Sequence, residues 1–381
     1  MRKIDAFFRT PLGVSVTVAV LWQLFMTVVG YYFVRTSLLA HTVVYDGKWY
    51  QNIIENGYDA VPAAAAFYPL FPRTIRNIQL ILGGEVPIAY IGIVFNTVLL
   101  ALTIYGLTVL AREFKIKFTW SVPIFFLLAP AAFFLHLFYT EPMFSAITLW
   151  AYIFALQRRW LPMALLLVLA TESRLPGILT VGLCGLEFMR AYDYKIKRIW
   201  NRNLAYFAIA PLGFVAYSLS LAHIKGDPLA MFHAYKFSQD WTYQVFNPNI
   251  FHTIARVTKA IFMALTGQRP FDTDIFVNHF VPVFTVILLV SASLYLIFKV
   301  RGKGLPLGVA GLVSLVMFSL NNNLVSVHRY ILPCFGIYIV LALLWQQYRR
   351  ARPFIIVLSI FTVILQIELL VPLYTSNRFA G

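Results

Sequence analysis

The stretch VVYDGKWYQNIIENGY, from Val43 to Tyr58, sets one carboxylate, Asp46, among Tyr45, Trp49 and Tyr50, directly after a long apolar run. A carboxylate flanked by aromatic rings is partly desolvated, and such a group can take a proton from a substrate hydroxyl or hold a cation. A solvated loop acid beside an aromatic belt has the same local sequence. What else shares that end of the molecule decides between them. Tyr139 and Glu141 in FYTEP, Arg174 in TESRLPG, and His328 and Arg329 in SVHRYILP all fall at ends of apolar segments, and Arg73 and Arg76 lie in AFYPLFPRTIR. Ionisable groups at such depth are costly and as a rule face a cavity or a partner. Each has a plain structural alternative: Glu141 as an acid favoured at a helix N-terminus, Arg174 ion-paired with neighbouring Glu172, Arg329 snorkelling to headgroups. Together, Arg73, Arg76, Arg174, His328 and Arg329 make a cationic set suited to phosphate, whose oxygens arginine grips in bidentate fashion. One acid and several cations at a lipid-accessible face describe transfer of a group from a lipid phosphate. Glu368, in the last apolar run, is expected as a buried intramembrane acid.

The elements that must position these residues are membrane helices. Of 381 residues, 60% are hydrophobic and only 12% charged, and the mean hydropathy is +0.75. That is an all-α polytopic membrane protein. Apolar runs predict about eleven spans at roughly 20 residues each: Leu12–Val34, Pro87–Ala111, Ser121–Phe138, Met143–Leu156, Leu161–Thr171, Leu175–Phe188, Leu204–Ala222, His279–Phe298, Leu305–Leu320, Tyr330–Trp345 and Phe354–Tyr374. The connections MRK, REFKIK, QRRW, RAYDYKIKRIWNR, KVRGKG and YRRARP hold most of the 31 lysines and arginines and fall on one side, which the positive-inside rule makes cytoplasmic, N-terminus included. The net charge of +16 is therefore topological and predicts no nucleic-acid partner. The opposite side holds two long loops, about 35–86 and about 223–278, and the short turns that carry the candidate residues. Within the first loop, WYQNIIENGY and FPRTIRNIQLIL have the apolar spacing of short helices lying along the interface. No repeat or linker divides the chain, so residues 1–381 are expected as a single membrane domain.

Several chemistries find no support. Cys184 and Cys334 both lie in apolar segments, so no disulfide framework or cysteine metal site is expected. P-loop, dinucleotide, HExxH and GxSxG motifs are missing, which disfavours nucleotide-driven pumps, zinc proteases and serine hydrolases and leaves a membrane-borne donor.

In order and spacing, YDGKWYQNIIENGY…AFYPLFPRTIR, APAAFFLHLFYTEPMFSAITLW, LATESRLPGILT and SVHRYILPCFGIYIVLA resemble the bacterial-type PIG-V-like mannosyltransferases, a GT-C family of polytopic glycosyltransferases similar to the second GPI mannosyltransferase. The resemblance implies a GT-C-type helical bundle and a sugar, usually mannose, carried on polyprenyl phosphate. It implies a lipid or glycan acceptor on the non-cytoplasmic face of the cell membrane, and it matches the family's loop acid to Asp46. Many members of the class carry a paired acidic motif where YDGKW carries one acid, so a divalent cation stays open as a cofactor and no cofactor is implied for certain. With Asp46 as general base, a single displacement would invert the anomeric centre, and Arg329, His328 or Arg174 would take up charge on the leaving phosphate. The rival is a transporter or flippase for a phosphate-containing lipid, but candidate residues gathered at one face differ from the midplane sites of transporters. No residue pattern names a partner subunit.

Overall fold

The computed structural model describes residues 10–35, 38–234, 247–320 and 323–375, and among these it is all-helical. The expected basic start MRK, residues 235–246 of the second long loop, and Asn321 and Asn322 of the last short turn lie outside the described residues. The chain forms two compact units, one of Met1–Leu110 with Phe133–Phe237 and one of Ala111–Ala132 with Ser238–Gly381.

The first unit opens with α1, Pro11–Val34, whose start is written in Thr10-Pro11: the threonine hydroxyl accepts from the Gly13 amide at 3.0 Å and proline sits in the first turn. Two short helices follow, α2 (Asp46–Asn56) and α3 (Leu70–Ile81), at the two stretches whose spacing predicts them. On α2 the buried residues are Gly47, Tyr50, Ile53 and Ile54, one stripe at helical period, and Gly57 ends the helix at φ 76°. α4 runs from Ile88 to Glu113. α6 (Glu141–Leu156), α7 (Trp160–Ser173), α8 (Gly177–Ala191) and α9 (Leu212–Lys225) pack on one another. Small residues let the core of this bundle close: Ala151, Ala155, Ala164 and Ala210 surround Trp160, Met163, Leu167, Cys184 and Phe188.

The second unit contains α5 (Ser121–Leu127), α10 (Ile250–Leu265), α11 (Val281–Tyr295), α12 (Gly304–Phe318), α13 (Gly336–Gln347) and α14 (Arg352–Thr375). α11 packs against α12 and α13, and α5 and α14 both pack on α13.

Five segments are long and apolar enough to cross a membrane: Pro11–Phe33, Ile88–Glu113, Arg202–Lys225, Thr273–Val300 and Arg349–Tyr374. They coincide with five of the expected spans. The expected Met143–Leu156, Leu161–Thr171, Leu175–Phe188 and Leu305–Leu320 correspond to single helices of 14 to 16 residues, α6, α7, α8 and α12.

Three expected spans are not continuous α-helices: Leu204–Ala222 passes from a 3-10 stretch, Arg202–Ile209, through a turn at Pro211 into α9, and two others are broken more sharply. Ser121–Phe138 is the seven-residue α5, a turn at Pro130 and a 3-10 turn at Ala132–Leu135. Proline removes a donor and turns its predecessor away from helix. The freed carbonyls are satisfied by side-chain amides: within the second unit Gln366 donates to Ala129 O at 3.1 Å, and within the first Gln23 donates to Leu135 O at 3.1 Å and Asn96 to Leu137 O at 2.7 Å. Tyr330–Trp345 is likewise interrupted: a short helix at Val327–Tyr330 precedes Pro333, and α13 begins at Gly336. Glu368, expected as a buried acid, is exposed on α14, because Leu365, Gln366, Leu369 and Leu370 form that helix's packed side.

Candidate functional site

Asp46 is the first residue of α2 and is half-buried. It stands in the first turn of an 11-residue helix, where the free backbone amides are. The chain enters this helix through Tyr45 at φ 43°, ψ −111°, a backbone conformation that costs a non-glycine residue energy and holds only where neighbours impose it. The neighbours are the residues around Tyr139. Phe138 N donates to Thr42 O at 2.9 Å, and the amide of Asp46 donates to the Tyr139 phenol oxygen at 3.2 Å. Gly47 lies so near that a Cβ there would stand 3.4 Å from both Phe138 O and Thr42 O. The loop that carries Asp46 and the entry to α6 therefore run together as one packed strip.

The rest of the first-unit cluster is built on that strip. Tyr50, one turn along α2 from Asp46, has its hydroxyl 3.4 Å from the Thr140 hydroxyl. Burial pushes the Tyr50 phenol above the ordinary tyrosine range; Arg174 opposes this, while Asp46 and Glu141 add to it. Tyr50 is thus a neutral hydroxyl in electrostatic reach of all three charges. Glu141 opens α6 and is ion-paired with Arg174 at the end of α7, the acid buried and the arginine partly buried. Arg174 also lies over the Phe144 ring, 5.9 Å from its centroid. Gly177 makes this corner possible, since a Cβ there would overlap the Ala170 carbonyl at 2.2 Å.

The expected alternative partner of Arg174 is therefore corrected. Glu172 pairs with Arg73 on α3, at 2.9 Å, and Arg174 pairs with Glu141. Successive side chains at the end of α7 point to different neighbours, so sequence adjacency does not bring Glu172 and Arg174 together. Trp49 stacks on Phe67, ring centroids 5.5 Å apart, and packs the outside of α2. Arg76 is exposed on α3.

In the second unit, His328 and Arg329 are both buried within the short helix Val327–Tyr330. Arg329 lies 5.1 Å over the Tyr330 ring. At 4% exposure it does not snorkel. Burial, with Arg329 alongside, lowers His328 to about 3, so its imidazole is neutral at pH 7 and offers a hydrogen bond rather than charge. Among the described residues no group of three or more His, Cys, Asp or Glu side chains is arranged to hold a metal ion. Asp46 offers a single carboxylate.

Sequence reasoning missed one polar group in the first unit. His41 Nε2 lies 2.8 Å from His136 Nε2, and His136 Nδ1 lies 2.5 Å from Gln23 Oε1, with both rings fully buried. Because the Gln23 amide already donates to Leu135 O, its oxygen must accept from His136 Nδ1–H. His136 Nε2 is then the acceptor, and His41 donates from Nε2–H. The chain ties α1 to the two segments that flank Asp46 and Tyr139. A signal existed in LLAHTVVYD and FFLHLFYTEP, each a lone histidine in an apolar run shortly before a candidate residue. Burial lowers His41 to about 4.

A scan against protein-family models finds no match to this chain, and a search of curated proteins finds none either.

Proposed function

We propose that this chain is a multi-pass glycosyltransferase of the cell membrane, moving a sugar, with mannose the first candidate, from a polyprenyl-phosphate donor to a lipid or glycan acceptor on the non-cytoplasmic face. The observation that carries the proposal is the placement of Asp46, half-buried at the first turn of α2, against Tyr139 and within reach of Tyr50 and the Glu141–Arg174 pair. Five helices able to cross a membrane agree with a donor that is itself a lipid. The about eleven spans, GT-C-type bundle and outward-facing site implied by the resemblance belong to the same proposal.

In the proposed reaction Asp46 accepts the proton of an acceptor hydroxyl as its oxygen attacks the anomeric carbon. The bond from that carbon to the phosphate oxygen breaks, its electron pair leaves on the phosphate, and the configuration inverts. Tyr139 fixes the backbone of Asp46, and Tyr50, held neutral, can donate to a sugar hydroxyl. Arg174 is neutralised by Glu141 and serves to hold the entry of α6 in place. The resemblance makes Arg329, with a hydrogen bond from neutral His328, the candidate for charge on the departing phosphate.

Incubation of the purified protein with polyprenyl-phosphate mannose and lipid or glycan extracts, followed by mass spectrometry, tests the proposal. Products one hexose heavier than their acceptors support it. Failure to transfer, together with movement of phosphate lipids across proteoliposomes, would favour the transporter.

A further inference from the structure

α10, Ile250–Leu265, has three distinct faces. At about 100° per residue, Thr253, Val257 and Ala264 share an arc of about 40° and are the residues it buries. Phe251, Phe262 and Leu265 share a second arc of about 60° and are 78%, 62% and 72% exposed. His252, Arg256 and Lys259 share the third, also about 60° wide, and all three are exposed. The centres of these arcs stand about 120° apart. The helix contains no acidic residue. A surface facing only water would not gather two phenylalanines and a leucine on one exposed side.

The surroundings of α10 say what meets that side. The helix packs against the turns Thr273–Ile275 and Phe276–Phe280, and these open the membrane-length segment Thr273–Val300. The helix is therefore held beside the end of a span. At 16 residues it is about 24 Å long, shorter than the roughly 30 Å hydrocarbon core, and Arg256 and Lys259 interrupt its middle. A short helix with a packed side, a bare aromatic side and a basic side, placed at the mouth of a span, has the build of an interfacial helix.

We infer that α10 lies in the headgroup layer at the N-terminal end of the span Thr273–Val300 and binds anionic phospholipid there. Phe251, Phe262 and Leu265 enter the acyl boundary, and Arg256 and Lys259 face lipid phosphates, where each basic residue adds attraction to an anionic surface. The inference rests on the membrane reading and is independent of the proposed transferase activity.

The test uses the full chain in nanodiscs of phosphatidylglycerol and phosphatidylcholine. Phe262→Cys and Lys259→Cys are each labelled with an environment-sensitive fluorophore, and the labelling of the unsubstituted protein is subtracted. Brominated acyl chains should quench the label at position 262 severalfold more than that at 259. Aqueous iodide should do the reverse. Exchanging phosphatidylglycerol for phosphatidylcholine should raise iodide quenching at 259, and Arg256→Gln should abolish that lipid dependence. Equal, strong iodide quenching at both positions would place the aromatic side in water and overturn the inference. Protection of position 262 from both quenchers would mean that a second copy or another protein covers it, and would overturn it equally.

Discussion

The backbone amide of Asp46 donates to the phenol oxygen of Tyr139, 93 residues away in sequence, at 3.2 Å. That bond joins the first turn of α2 to the entry of α6, so the position of the acid depends on a residue that keeps its own place by burial in the first unit. Tyr139→Phe removes the acceptor and leaves the ring. The expected cost is about 1 kcal/mol of stability and a five- to tenfold drop in transfer rate, on the order of one hydrogen bond. Thermal melting in detergent and a turnover assay read the two effects separately. An unchanged rate would remove Tyr139 from the positioning of Asp46.

The two ion pairs of the first-unit cluster should differ sharply in weight. Glu141→Ala takes the carboxylate partner from the partly buried Arg174 guanidinium and should cost about 3 kcal/mol. Glu172→Ala frees Arg73, whose side chain is already 52% exposed, and should cost less than about 1 kcal/mol. Removing Glu141 and Arg174 together should cost less than the sum of the single changes. Denaturation midpoints of the four variants would show this, and equal losses for Glu141→Ala and Glu172→Ala would contradict the assigned partners.

Stability should also depend on pH through the buried histidines. His41 is held neutral to about 4, below its ordinary 6.5. Its folded value is depressed, so the stabilising effect is complete above pH 6.5 and is lost as pH falls from there toward 4, by about 1.4 kcal/mol per pH unit. His41→Gln should make that part of the profile less steep, with the share of His328 remaining. A melting temperature constant between pH 7 and 4.5 in the unsubstituted protein would contradict the buried neutral ring.

Arg329→Lys keeps the charge and loses the planar fork. About tenfold weaker binding of the donor phosphate is expected, with little change in melting temperature. Donor binding measured by calorimetry checks this, and an unchanged affinity would remove Arg329 from the phosphate site.

The elements legible in the sequence were those whose information is local. Thr10-Pro11 and an uninterrupted apolar run define α1, and the spacing of Gly47, Tyr50 and Ile54 with the stop at Gly57 defines α2. Ser121–Phe138 misled because an apolar run alone does not show whether its carbonyls are bonded within a helix or by Gln23, Asn96 and Gln366 from distant segments. The Arg174 partner misled for the same reason: Glu172 is near in sequence, while Glu141 is near in space. The candidate acid itself was legible because a lone carboxylate among aromatics stands out in so apolar a chain. The Tyr139 bond and the strained Tyr45 that fix it are products of tertiary packing.

Sugar transfer with Asp46 as the base is tested most directly by the turnover of Asp46→Asn, with polyprenyl-phosphate mannose as donor and chelator present. The amide keeps the size and hydrogen-bonding capacity of the acid but takes up no proton at neutral pH. The predicted result is a fall of two to four orders of magnitude in turnover, donor binding and melting temperature unchanged, and wild-type activity that persists in chelator. A well-folded Asp46→Asn protein with near-normal turnover would contradict it.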